Sequence, residues 1–223
     1  MKVIVFGSTG MVGQGALREC LLDGEVESVL AIVRRATGRQ HEKLRELAHA
    51  DFYNFSSIES ELAGYDACFF CLGVSSAGMK KKEYERVTYD ITMAAARVLA
   101  PQNPGMTFIY VSGAGTDSSE HGRMMWARVK GKVENELLQM PFKAAYMFRP
   151  AYIQPLYGVK AKSTWTRVAY AVAGPLFPVW RALFSNYVTT TEEVGRAMIH
   201  VVRHGAPKRV LENRDLVKLI RQP

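Results

Sequence analysis

Three glycines at three-residue spacing, Gly7, Gly10 and Gly13, follow directly on the apolar run Val3-Ile4-Val5-Phe6. A glycine turn lets backbone come close to a pyrophosphate, and the free N–H groups at the start of a following helix meet its charge. The stretch Gly7-Ser8-Thr9-Gly10-Met11-Val12-Gly13 is therefore expected to cradle a dinucleotide. A second apolar run, Val29 to Val33, ends in Arg34 and Arg35, where an NAD-binding chain carries a carboxylate for the ribose 2′-hydroxyl. Two guanidinium forks suit a 2′-phosphate instead, so NADP is expected in preference to NAD. The plainer alternative is that these arginines solvate a loop.

Cys68 and Cys71 form a C-x-x-C spacing, which in other settings binds metal or exchanges disulfides. Here Phe69, Phe70 and Leu72 put the pair in an apolar strand, and no second Cys or His pair stands at ligand spacing. Together with Cys20 they read as core thiols, and no metal is expected. Three cysteines without a disulfide framework suggest a reducing, cytoplasmic setting.

The elements needed to position the glycine turn are those of an α/β chain. Strands are expected at Val29–Val33, Ala67–Leu72, Phe108–Ser112 and Ala144–Phe148, each apolar along its length as in a parallel sheet covered on both faces. A short strand is considered at Asp51–Phe55. Helices are expected over Gln14–Leu22, Lys82–Ala100, Met125–Met140 and Glu192–His204, the last after a Thr run that offers N-caps. The 223 residues, 48% hydrophobic, fit one domain spanning 1–223. Its fold class is a single-domain Rossmann fold, a doubly wound parallel sheet of six or seven strands. The aromatic-rich stretch 151–188 is set apart by composition, and C-terminal helices are expected over 189–223.

In such sheets a ligand lies beyond the carboxyl ends of the strands. The residues to consider together are Gly7 to Val12, Arg34, Arg35, Asp51, Phe52, Leu72, Gly73, Ser112, Gly113, Arg149 and Pro150.

These pieces, with Val111-Ser112, Arg128-Val129-Lys130-Gly131-Lys132-Val133-Glu134, Phe148-Arg149-Pro150 and Leu211-Glu212-Asn213, resemble the atypical or extended short-chain dehydrogenase/reductase family. The likeness is to its small Tat-interactive-protein-like and bacterial NAD-dependent epimerase/dehydratase-like members, and runs nearly end to end. It implies that Met11 and Val12 give backbone amides to the pyrophosphate. Asp51 and Phe52 would flank the adenine, Leu72 and Gly73 would pass beneath a ribose, and Pro150 would belong to the corner over the nicotinamide. Ser112 and Lys130 would be the serine and lysine of a Ser-Tyr-Lys set, with Lys130 on the nicotinamide ribose. For the stretch 151–188 the resemblance implies a pocket or lid role. The family often pairs as a homodimer through helices that here include Lys82–Ala100 and Met125–Met140.

One position departs from that pattern. Trp126 stands four residues before Lys130, where the resemblance implies a tyrosine. Indole N–H is a donor only and cannot serve as an acid/base. Tyr84, Tyr89, Tyr110, Tyr152 and Tyr157 are possible replacement phenols; Tyr152 is preferred, with a pocket wall as its alternative role.

From Ala151 to Val188 the chain turns rich in Tyr, Trp and Pro, and Val168 to Trp180 is uncharged between Arg167 and Arg181. This stretch, 164–184, reads as a pocket lid, a subunit interface or a membrane-contact surface. The net charge of +8 favours anionic partners. Its basic residues are scattered and belong to no recognition module, which argues against nucleic acid. The expected partner is a small molecule, either a carbonyl or sugar-like substrate for reduction, epimerisation or dehydration, or, given Trp126, NADP(H) alone in a regulatory protein without turnover.

Overall fold

The computed structural model describes residues 1–158 and 186–221. Seven parallel strands form the main sheet: β1 (Lys2–Phe6), β2 (Ser28–Val33), β3 (Leu44–Ala48), β4 (Ala67–Phe70), β5 (Thr107–Val111), β6 (Ala144–Arg149) and β9 (Val210–Glu212). Their order is β3-β2-β1-β4-β5-β6-β9, so the chain reverses direction across the sheet between β1 and β4. A separate parallel pair, β7 (Tyr152–Gln154) and β8 (Val188–Thr190), is the other sheet among the described residues.

Strand alternation sends neighbouring side chains to opposite faces, and here both faces are buried. Val3 and Val5 pack with α1 (Met11–Leu22), α5 (Thr191–His204) and α6 (Asn213–Arg221). Ile4 and Phe6 face α3 (Ile91–Gln102) and α4 (Met125–Gln139). α3 is preceded by a short α2 (Lys81–Glu85) and a π-helical turn at Arg86–Asp90. Two glycines let α1 and α5 touch: a Cβ at Gly15 would lie 2.5 Å from the Thr191 carbonyl oxygen, and one at Gly195 would lie 2.8 Å from Glu19 Cγ. Thr190 caps α5, accepting the Glu193 N–H at 3.0 Å while Glu193 accepts the Thr190 N–H, as the Thr run led one to expect.

Several expectations need correction. The third strand is Leu44–Ala48 rather than Asp51–Phe55, whose Phe52 and Phe55 instead both pack edge-on against Phe6. The stretch expected to carry only C-terminal helices also supplies β9, and α3 runs through Pro101 to Gln102. Pro101 cannot donate to the carbonyl four residues back, and the helix ends one residue after it. The aromatic stretch 164–184, with its lid, interface and membrane readings, lies outside the described residues.

Candidate functional site

At the switch point between β1 and β4 the glycine turn is held in one conformation. Gly7 has φ +79°, and a Cβ there would lie 2.8 Å from the Cys71 backbone. The Gly10 N–H donates to the Gly7 carbonyl at 2.8 Å, and a Cβ at Gly13 would sit 2.1 Å from that same oxygen. The first intrahelical bond of α1 runs from the Gln14 N–H to the Gly10 carbonyl. Its N-cap makes no side-chain hydrogen bond and its first turn holds no acid. The N–H groups of Met11, Val12 and Gly13 and the positive helix end are thereby left to an anion, and a pyrophosphate fits them.

A cleft of about 370 Å³ extends from this turn. Gly7, Ser8, Thr9 and Gly10 form its floor, with Arg34 past β2, Phe52 to one side, and Leu72 and Gly73 past β4. Arg35 and Asp51 do not line it. Arg35 is exposed, and the Asp51 carboxylate accepts the Tyr53 N–H at 2.9 Å, closing a local turn. Tyr53 lines it without having been singled out from the sequence, as do Ala50, Val74, Val87 and Ile91, and Arg86 stands over the Tyr53 ring at 5.2 Å. The free thiol of Cys71 also lines the cleft, and burial pushes it up to about 12, so it behaves as an inert wall.

Ser112, Lys130 and Pro150 are not among the described residues lining this cleft; Ser112 and Lys130 meet past the end of β5, the strand next to β4. The Lys130 ammonium donates to the Ser112 backbone carbonyl, while the Ser112 hydroxyl is buried and donates to the Phe148 carbonyl at 3.2 Å. Burial lowers Lys130 to about 8, with Glu134 opposing the shift. Trp126, one turn earlier on α4, leans over the β5–α4 loop, where a Cβ at Gly115 would be 3.4 Å from its ring. Among the five phenols considered, none is made more acidic. Burial raises Tyr84, Tyr110 and Tyr152, and Tyr89 is pushed up to about 12 by burial and by Glu136. Tyr157 is raised by its hydrogen bond to Glu192. The Tyr152 hydroxyl donates to Gln154 Oε1 at 2.8 Å.

Behind this pair the motifs around Glu134, Arg149 and Glu212 converge on one ionic cluster. Arg149 Nε donates to Glu134 Oε1 at 3.0 Å, Nη2 to Glu134 Oε2 and to the Ser118 hydroxyl, and Nη1 to Glu212 Oε1 at 3.1 Å. One guanidinium thus joins α4, β6, β9 and the β5–α4 loop. Beside it, Asn213 is buried; its Oδ1 accepts the Ala151 N–H at 3.0 Å and its Nδ2 donates to the Asn186 carbonyl at 2.9 Å. The sequence held these residues in view without revealing the contact, because the partners are 15 to 63 positions apart.

A glycine turn beneath an uncapped helix, at the point where a doubly wound parallel sheet reverses its strand order, defines a dinucleotide-binding Rossmann protein. The model of the NAD dependent epimerase/dehydratase family matches residues 3–124, more than half of the chain. The chain belongs to that family of NAD(P)-binding proteins, and to its atypical short-chain dehydrogenase/reductase branch. It is 26% identical over 222 residues to Protein HTATIP2 of Rattus norvegicus, covering 98% of this chain and 88% of that one. It is 25% identical over 211 residues to Protein FMP52, mitochondrial, of Debaryomyces hansenii, covering 90% and 87%. In fold it is similar to the Helicobacter pylori ADP-L-glycero-D-manno-heptose-6-epimerase, with TM-score 0.68 at 14% identity over 95% of this chain and 76% of that one. A dTDP-glucose 4,6-dehydratase from Streptomyces venezuelae gives TM-score 0.67 at 17% identity, over 99% and 80%.

The FMP52 relatives from Debaryomyces hansenii, Eremothecium gossypii and Saccharomyces cerevisiae are mitochondrial by name. That overturns the cytoplasmic expectation. The three free cysteines do not distinguish one compartment from another.

Proposed function

We propose that the chain is an NADP(H)-dependent reductase of a small carbonyl compound, with Lys130 as the proton donor. The bound cofactor would supply the hydride. Met11, Val12 and Gly13 would hold the pyrophosphate by their N–H groups, Arg34 the 2′-phosphate, and Phe52 the adenine face. Reduction also needs a proton at the substrate oxygen, and Trp126 can donate a hydrogen bond there without releasing one.

The observation that carries this reading is the contrast between Lys130, brought down to about 8, and five phenols all raised. An ammonium near 8 can give up a proton at neutral pH. The test is NADPH oxidation against a panel of aldehydes and ketones. Turnover that disappears in Lys130→Met, with the fold retained by circular dichroism, supports it. Unchanged turnover in that variant overturns the assignment.

Trp126 favours one second reading, an NADP(H)-responsive regulatory protein. It predicts tight binding of NADPH with no oxidation by any panel member.

A further inference from the structure

Beyond the ends of β5, β6 and β9 lies a second cavity, of about 260 Å³, whose described lining shares no residue with that of the dinucleotide cleft. Its position ties it to Ser112. Ala114, in its wall, is two residues past Ser112, and the Ala114 N–H donates to the Pro150 carbonyl at 2.9 Å. Ala151 follows Pro150 directly, and Asn213 and Arg214 follow β9.

Among the described residues that line this cavity, Glu212 and Asn213 are committed elsewhere, and Arg214 is the charged side chain left without a partner. The Glu212 carboxylate accepts from Arg149 at 3.1 Å, and both ends of the Asn213 amide are engaged by backbone. Asp215, next along α6, accepts the Glu212 N–H at 3.1 Å and faces Lys208 at 3.5 Å. Arg214 is exposed and makes no hydrogen bond or ion pair with the described residues. The remaining described walls are the methyl groups of Ala114 and Ala151, Asn186, and the Tyr187 side chain, which is 67% exposed. A planar, permanently charged fork above short apolar walls fits a small molecule with one anionic end.

We propose that the substrate is a small carbonyl compound bearing a carboxylate or phosphate, and that Arg214 holds this anionic end while the carbonyl lies toward Lys130. The assignment of substrate class rests on the reductase reading above. Arg214 determines specificity and takes no part in the proton or hydride transfer.

The experiment uses matched pairs that differ in the anion: 2-oxobutanoate against butanone for a carboxylate, and dihydroxyacetone phosphate against dihydroxyacetone for a phosphate. Each is titrated calorimetrically into the full chain, with and without NADPH. The expected result is that the anionic member of at least one pair binds tenfold or more tighter than its neutral counterpart, and which pair responds identifies the anion. Arg214→Gln should abolish the preference and Arg214→Lys should keep part of it, with NADPH affinity unchanged in both. A preference that survives Arg214→Gln overturns the proposal, as does equal binding within both pairs or no binding by any of the four. Absence of NADPH binding, or of turnover with a ligand that binds, would count against the reductase reading alone, because the anion preference is read from binding.

Discussion

Arg149 grips Glu134 along one edge of its guanidinium, Nε to Oε1 at 3.0 Å and Nη2 to Oε2, and the Glu134 side chain is fully buried. Burial of both charges makes the pair costly to break from one side only. Arg149→Met should destabilise the chain by about 3–5 kcal/mol, since it leaves a carboxylate stranded. The double variant Arg149→Met with Glu134→Leu should recover most of that loss in urea denaturation. Additive losses would show that the two residues do not act as a unit.

The glycine turn makes a sharper demand. Gly13→Ala puts a methyl group 2.1 Å from the Gly7 carbonyl, so the turn must move. The expected cost is about 1–3 kcal/mol of stability, together with weaker NADPH binding by fluorescence titration. Gly24→Ala, where a Cβ meets nothing within 4 Å, should leave both unchanged.

Arg34→Ala should weaken NADPH binding about tenfold, the value of losing one charged hydrogen bond, and leave NADH binding unchanged. Raising the salt should shrink the difference in the parent protein, because Arg34 is exposed. Equal affinity of the unaltered chain for NADPH and NADH would remove the 2′-phosphate assignment.

As proton donor Lys130 must enter the reaction charged, so kcat/KM for carbonyl reduction should fall as pH rises through about 8. Stability should move the other way. The folded chain releases this proton near 8 and the unfolded chain near its ordinary value of about 10.4, so between those values the unfolded state binds more protons and stability rises with pH. Lys130→Met should lose both dependences. Trp126→Tyr places a phenol one turn from the ammonium; reduction restored in Trp126→Tyr with Lys130→Met, and falling at high pH, would show that the tyrosine role is open at this position.

What the sequence disclosed follows from burial. β1, β2, β4, β5 and β6 are covered on both faces and read as apolar runs, whereas β3 is a half-exposed edge strand carrying Arg45 and Glu46. β9 has three residues, too few for a pattern to emerge. The phenylalanines that suggested a strand at Asp51–Phe55 serve an aromatic cluster around Phe6 and His49. In the site, the glycines and Arg34 were legible because local backbone geometry and charge act at short range. Tyr53 was not, because lining a cleft leaves no periodicity. The uncommitted guanidinium of Arg214 becomes visible only after the partners of Glu212 and Asn213 are known.

Asn213 holds the Ala151 N–H with one end of its amide and the Asn186 carbonyl with the other. A single side chain therefore fixes the two points at which the chain leaves the sheet after β6 and returns toward β8. One amide thus ties the end of β6, the start of α6 and the approach to β8 together, so Asn213→Ala would loosen three elements through the loss of a single side chain.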